Sequence, residues 1–208
     1  MAAQRFAMRL LVSVASAAEA SAALAGGADV IDAKNPLSGA LGAVSADILR
    51  EIHATVAGAC LVSAAIGDAL DETEVERAAG TFAAAGAALV KVGFAGITSA
   101  SRVERLIVAA VRGVSAGGLI RLKPDPACDG TSCDGTSRDG TSHVWTWGPP
   151  SGGPIGINPN LRGVVAVAYA DAGRVASLPA EAFVDVAARA GATGVLLDTA
   201  DKIGRAHV

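Results

Sequence analysis

The chain has 208 residues, 51% of them apolar and only 3% aromatic, so its interior has to be built from Ala, Val, Leu and Ile. That length suits one domain, or most of one α/β barrel. A net charge of −3 offers no electrostatic footprint for nucleic acid or an anionic membrane, and no apolar run approaches the about 20 residues that a membrane span needs.

At the N-terminus, Arg5 and Arg9 precede Leu10-Leu11-Val12-Ser13-Val14-Ala15, which superficially resembles an export signal. The apolar stretch is short and Glu19 interrupts the small residues after it, so a buried first strand leading into an alanine-rich helix accounts for it better. From there short apolar runs alternate with amphipathic ones. Strands are expected at 9–15, 28–34, 59–66, 88–94, 163–170 and 194–199, and helices at 17–26, 45–57, 72–85, 101–116 and 180–190. The third helix is expected to open on a capping box at Thr73-Glu74-Val75-Glu76 and the fourth on another at Ser101-Arg102-Val103-Glu104. Gly86 and Gly191 sit where helical patterns stop, as left-handed caps would. Continuously apolar strands separated by helices imply a parallel sheet. Two similar joints, Ala25-Gly26-Gly27-Ala28-Asp29-Val30 and Ala190-Gly191-Ala192-Thr193-Gly194-Val195, mark helix-to-strand returns of one βα unit type. No Gly-x-Gly-x-x-Gly opens the first βα turn, so the expectation is an α/β fold of the (β/α)8 TIM-barrel type, with about six of its eight strands present.

Residues 123–162 break this rhythm. Three copies of Asp-Gly-Thr-Ser start at Asp129, Asp134 and Asp139, followed by Trp145, Trp147 and a Pro/Gly-rich tract. A calcium-binding array is one reading of such a repeat, but three short copies with no apolar residue to stack favour a flexible insertion into a single barrel domain spanning 8–202. The cysteines are Cys60, Cys128 and Cys133, which make no disulfide framework. They point to a reduced, cytoplasmic setting and no metal site.

The chemistry lies in the lysines. Thirteen arginines stand against four lysines, and three of those four, Lys34, Lys91 and Lys202, occupy corresponding places at strand ends. Asp32 and Lys34 are two apart in an extended strand and so share a face, before Asn35-Pro36 ends it. Asp198 and Lys202 are four apart across another strand end and can reach the same mouth. One such lysine is readily a buried ion pair; three point to use. Unlike arginine, lysine can be shifted toward a neutral amine, which attacks a carbonyl to form an imine. No expected strand carries a histidine, since His53 falls in a helix, His143 in the insertion and His207 at the terminus. The residues alone therefore point to imine chemistry on a small carbonyl substrate.

The stretches Leu11-Val12-Ser13, Gly26-Gly27-Ala28-Asp29-Val30-Ile31-Asp32-Ala33-Lys34-Asn35-Pro36, Gly39-Ala40-Leu41-Gly42 and Val62-Ser63-Ala64 resemble the (5-formylfuran-3-yl)methyl phosphate synthase family. Lys91-Val92-Gly93, Tyr169-Ala170-Asp171 and Leu197-Asp198-Thr199-Ala200 continue the likeness in order, so that it covers residues 8–122 and 161–202. The resemblance implies a lyase on a (β/α) barrel. Such an enzyme condenses two glyceraldehyde 3-phosphate molecules, a phosphorylated aldehyde substrate, into the furan precursor of methanofuran-type cofactors, with no cofactor of its own. It further implies that Lys34 forms the Schiff base, that Lys91 accepts a proton, and that Asp32, Asp198 and Lys202 belong to the same site.

The full-length protein is expected to be a homo-oligomer without nucleic-acid or membrane partners. The family pattern continues for two strands beyond Asp198, and the last residues, Ile203-Gly204-Arg205-Ala206-His207-Val208, can be back-translated into a common sequencing adapter. The expectation is thus a C-terminally truncated barrel with a non-native tail at 203–208, poorly soluble and inactive as it stands. Two other readings remain open at this point. One is a class I aldolase or phosphosugar decarboxylase on the same barrel. The other is a non-catalytic module that presents the Asp-Gly-Thr-Ser loop to calcium or a protein.

Overall fold

A computed structural model describes residues 9–69, 71–117 and 162–200. Lys202, the tail 203–208 and the insertion at 123–162, apart from Arg162, lie outside the described residues. The elements run β1 (Leu11–Val14), α1 (Ala17–Ala25), β2 (Val30–Ala33), a 3-10 turn (Pro36–Ser38), α2 (Ala46–Val56), β3 (Leu61–Asp68), α3 (Glu72–Ala84), β4 (Leu89–Gly93), α4 (Ala100–Gly117), β5 (Gly163–Tyr169), α5 (Ala180–Arg189) and β6 (Gly194–Asp198). Every strand and α-helix falls where the apolar periodicity places it; the turn at Pro36–Ser38 was not expected.

All six strands are parallel and lie in sequential order, β1-β2-β3-β4-β5-β6. The main core shows which kind of sheet this is. It joins alternate strand residues, such as Val14, Ile31, Val62, Val90 and Val164, to buried residues of all five α-helices, among them Ala20, Leu49, Phe82, Leu106 and Phe183. One face of the sheet therefore carries every helix, whereas a doubly wound sheet would divide them between two faces. The six strands form the wall of a half-barrel. Closure into eight strands is not seen among the described residues. The opposite face is the lumen, where a small second cluster gathers Leu41, Ala65, Val167 and Tyr169.

The helix ends follow from local chemistry, with two corrections. Residues Gly86 and Gly191 have φ of 109° and 80°, and at each the next amide bonds back five residues (Ala87 to Phe82, Ala192 to Ala187, both 3.0 Å). Ala28 bonds to Ala23 in the same way at 3.1 Å, so the repeated joints seen in the sequence are one closure used again. The expected capping boxes are not the actual starts. Asp71 caps α3, its carboxylate accepting the Thr73 and Glu74 amides at 2.8 and 3.2 Å, because an aspartate one residue before the helix outcompetes the threonine behind it. Helix α4 begins at Ala100, so Ser101 is already inside its first turn. Helices α3 and α4 approach closely: a Cβ added at Gly113 or Gly117 would overlap the carbonyl oxygens of Glu76 or Gly80.

Candidate active site

The lumen side of β1, β2 and β3 is polar along one row. Parallel pairing sets Ser13 beside Asp32 and Asp32 beside Ser63, all on the face away from the helices. Asp32 has no accessible surface, and both of its carboxylate oxygens accept hydrogen bonds. Ser63 Oγ donates to Oδ1 at 2.7 Å, Ser13 Oγ donates to Oδ2 at 3.2 Å, and Lys91 Nζ donates to Oδ2 in a buried ion pair. Lys91 reaches it from β4, where it is only 6% exposed. A buried carboxylate is tolerated when it is paired and hydrogen-bonded, as here, and is very costly otherwise. Serines in Val12-Ser13-Val14 and Val62-Ser63-Ala64 were the available sign of this row: each puts a hydroxyl at the same offset in an otherwise apolar strand.

Lys34 stands one step nearer the mouth. It follows the Ala33–Ala64 pair, so it comes level with Ala65, which in turn pairs with Lys91. Strand spacing of about 4.8 Å puts the two lysine backbones about 10 Å apart, across a single small side chain. The Lys34 amide donates to the Val14 carbonyl at 2.9 Å, which fixes the backbone, while its side chain is half-buried and forms no hydrogen bond or ion pair among the described residues. The following loop is folded tightly. Asn35 caps the turn through Leu37 N–H (3.0 Å), its own amide donates to Gly42 O (2.9 Å), and an added Cβ on Gly42 would overlap the Asn35 carbonyl. Leu41 thereby returns to the lumen, against Tyr169.

At the mouth, Asp198 ends β6 opposite Tyr169 of β5, and its Oδ1 accepts the Thr199 N–H at 2.8 Å. Asp171 accepts the Ala200 N–H at 2.9 Å. The phenol of Tyr169 donates to Asp68 Oδ1 at 2.7 Å. Burial first, then the hydrogen bond and charge of Asp68, then the charges of Asp198 and Asp171, push this phenol far above the ordinary tyrosine range, so it remains a protonated donor. The structure thus brings Asp32 and Lys91 into contact, sets Lys34 on the same face, and puts Asp198 at the rim; Lys202 is outside the described residues. Asp68 was missed. It follows Gly67 at what reads as a strand's frayed end, and only pairing with β4 reveals where it points. Among the described residues no group of three His, Cys, Asp or Glu side chains could hold a metal ion, and no helix is long and apolar enough to cross a membrane.

Comparison with known proteins adds to this geometry. The model of a family described as 4-HFC-P synthase matches residues 10–119 and 157–208. The (5-formylfuran-3-yl)methyl phosphate synthase of Methanosarcina mazei is 32% identical over 199 residues, which cover 95% of this chain and 68% of that protein. A Methylorubrum extorquens protein that carries the same name provisionally is 40% identical over 122 residues, 59% of this chain. The matched region spans half the length of that second relative. Among solved structures, phosphonopyruvate hydrolase superposes with a TM-score of 0.58 at 15% identity, covering 94% of this chain and 59% of the other, a likeness of fold alone.

Proposed function

The chain belongs to the 4-HFC-P synthase family, and on that basis we propose that its lumen condenses two molecules of glyceraldehyde 3-phosphate into (5-formylfuran-3-yl)methyl phosphate through an imine on Lys34, for methanofuran-type cofactors. One observation carries the choice of lysine. Two lysines share the lumen face at one level, and they are differently engaged: Lys91 is tied to buried Asp32, whereas Lys34 has no side-chain partner among the described residues and reaches solvent. An amine that is to attack a carbonyl must be reachable and unencumbered.

The Lys34 amine adds to the aldehyde carbon, and loss of water gives an iminium that acidifies the neighbouring C–H. Lys91 takes that proton after its ammonium has passed one to Asp32, the carboxylate it is hydrogen-bonded to, so that the pair as a whole gains the single proton that the C–H gives up. The enamine attacks the second aldehyde to form the carbon–carbon bond. Overall the two trioses lose one phosphoric acid and two waters, and hydrolysis of the imine frees Lys34. Asp198 serves at the rim, and Lys202, outside the described residues, is the proposed cation for phosphate. The names of the relatives support the product, and the unengaged side chain of Lys34 among the described residues supports the route. In a version extended to the length of its relatives, incubation with glyceraldehyde 3-phosphate, followed by mass spectrometry and near-ultraviolet absorbance, is expected to show a formylfuran phosphate that Lys34→Ala does not make. Equal product from the variant would overturn the assignment.

A further inference from the structure

The lumen holds a carboxylate that the imine route leaves unused, and a bulge puts it there. Strand β3 advances three residues, Ala65 to Asp68, while β4 advances two, Lys91 to Gly93. Under strict alternation Asp68 would face the helices, as Ala64 and Ile66 do. The extra residue, with Gly67 at φ 89°, turns it to the lumen beside Gly93. There Asp68 Oδ1 accepts twice, from Tyr169 Oη at 2.7 Å and from the Ala95 N–H at 2.9 Å. Gly93 leaves room for this: a Cβ at that position would overlap Asp68 Oδ1, Tyr169 Oη and Leu41. The other oxygen, Oδ2, accepts no hydrogen bond among the described residues, and the residue is exposed. One oxygen is fixed, and the other remains an open acceptor.

Its place relative to the lysines decides what it can meet. Lys34 comes level with Ala65 and Lys91, and Asp68 stands level with Gly93, nearer the mouth on the strand next to that of Lys34. A rise of about 3.3 Å per residue and a strand spacing of about 4.8 Å put the Asp68 and Lys34 backbones about 8 Å apart, a gap that a lysine side chain and a small aldehyde can bridge. The Lys91 amine lies on the other side of that level, since it reaches back to Asp32 in the row of Ser63. Asp32 itself cannot serve a substrate in this way, because both of its oxygens already accept hydrogen bonds and it has no accessible surface. An ionised carboxylate only accepts, so it recognises a hydroxyl and repels a phosphate. We infer that Asp68 is a specificity-determining residue, with Tyr169 as its positioning residue: Oδ2 accepts a hydrogen bond from the hydroxyl next to the carbonyl carbon of the aldehyde held on Lys34. The inference rests on the imine reading and narrows its substrate class to aldehydes with a hydroxyl on the adjacent carbon. No proton changes hands at Asp68. With the hydroxyl drawn toward the mouth, the hydrogen that the same carbon carries before coupling is left to face Lys91.

The test uses the same extended version and two phosphonate analogues of glyceraldehyde 3-phosphate, in which a methylene replaces the ester oxygen so that no phosphate leaves. One analogue has the hydroxyl next to the aldehyde and the other lacks it. The readout is the concentration of each that half-saturates borohydride labelling of Lys34. In the parent the hydroxylated analogue is expected to need about 10-fold less or lower still, the size of one hydrogen bond to a charged acceptor. Asp68→Ala should remove that preference by weakening the hydroxylated analogue alone. Asp68→Asn keeps the anchored oxygen and puts an amide N–H in place of the open one; it should lose most of the preference, and it carries the test if the alanine variant does not fold. Tyr169→Phe, which keeps the carboxylate but loosens it, should lower the preference by less. Damage to the fold would weaken both analogues alike. That result in Asp68→Asn, a preference undiminished there, or no preference in a labelled parent would overturn the role of Asp68 alone. Failure of the parent to label at Lys34 with either analogue would overturn the imine reading and this inference together.

Discussion

At the scale of single residues, the lumen separates two kinds of charge. Asp32 and Lys91 are held, and removing one leaves the other buried without a partner. Asp32→Ala should therefore cost about 3–5 kcal/mol of folding stability, read as a lower urea midpoint. The double variant Asp32→Ala/Lys91→Met should regain part of that stability and none of the activity; equal instability of single and double variants would argue against the ion pair. Tyr169 gives a pH signature. Its pKa is raised on folding, so its contribution is complete below the unfolded value of about 10 and is lost as pH climbs from there toward the folded value. Tyr169→Phe should flatten the decline in stability on the alkaline side and leave the neutral region's slope unchanged. An unaltered alkaline slope would contradict the buried, hydrogen-bonded phenol.

At the scale of elements, the βα alternation was legible because each strand is a short apolar run and glycines, Gly27, Gly86 and Gly191, close three of the helices. Two things were not legible. The bulge in β3 depends on the register with β4, a relation between segments that no single stretch contains, so Asp68 fell beyond the strand expected at 59–66. The contact of α3 with α4 depends on Gly80, Gly113 and Gly117, which look like ordinary breaks in helical propensity until the helices are seen backbone to backbone. The aspartate–lysine pattern was legible at residues 32 and 34 through strand alternation, and its serine partners could have been found in the same way. Gly113→Ala should cost about 1–3 kcal/mol by overpacking, seen as a lower urea midpoint at unchanged slope. Gly173→Ala, where an added methyl meets nothing within 4 Å, should change little. Equal midpoints for the two would mean that the helices are not in close contact.

For the whole molecule, the sequential parallel sheet with all helices on one face makes the half-barrel a scaffold whose strand ends converge on one mouth. The flanks are less well covered than the centre. Val195 and Leu197, on the helix side of β6, are 40% and 60% exposed, and Leu11, on the lumen side of β1, is 50% exposed. Apolar surface of this kind on outer strands favours self-association. Replacing Val195 with Thr and Leu197 with Lys should lower light scattering at high protein concentration, and no change would place the sticky surface elsewhere. The central claim concerns Lys34 and has a direct measurement. Borohydride reduction in the presence of glyceraldehyde 3-phosphate, followed by peptide mapping, should put the label on Lys34 and abolish it in Lys34→Ala. Label on Lys91, or label that survives that substitution, would contradict the account.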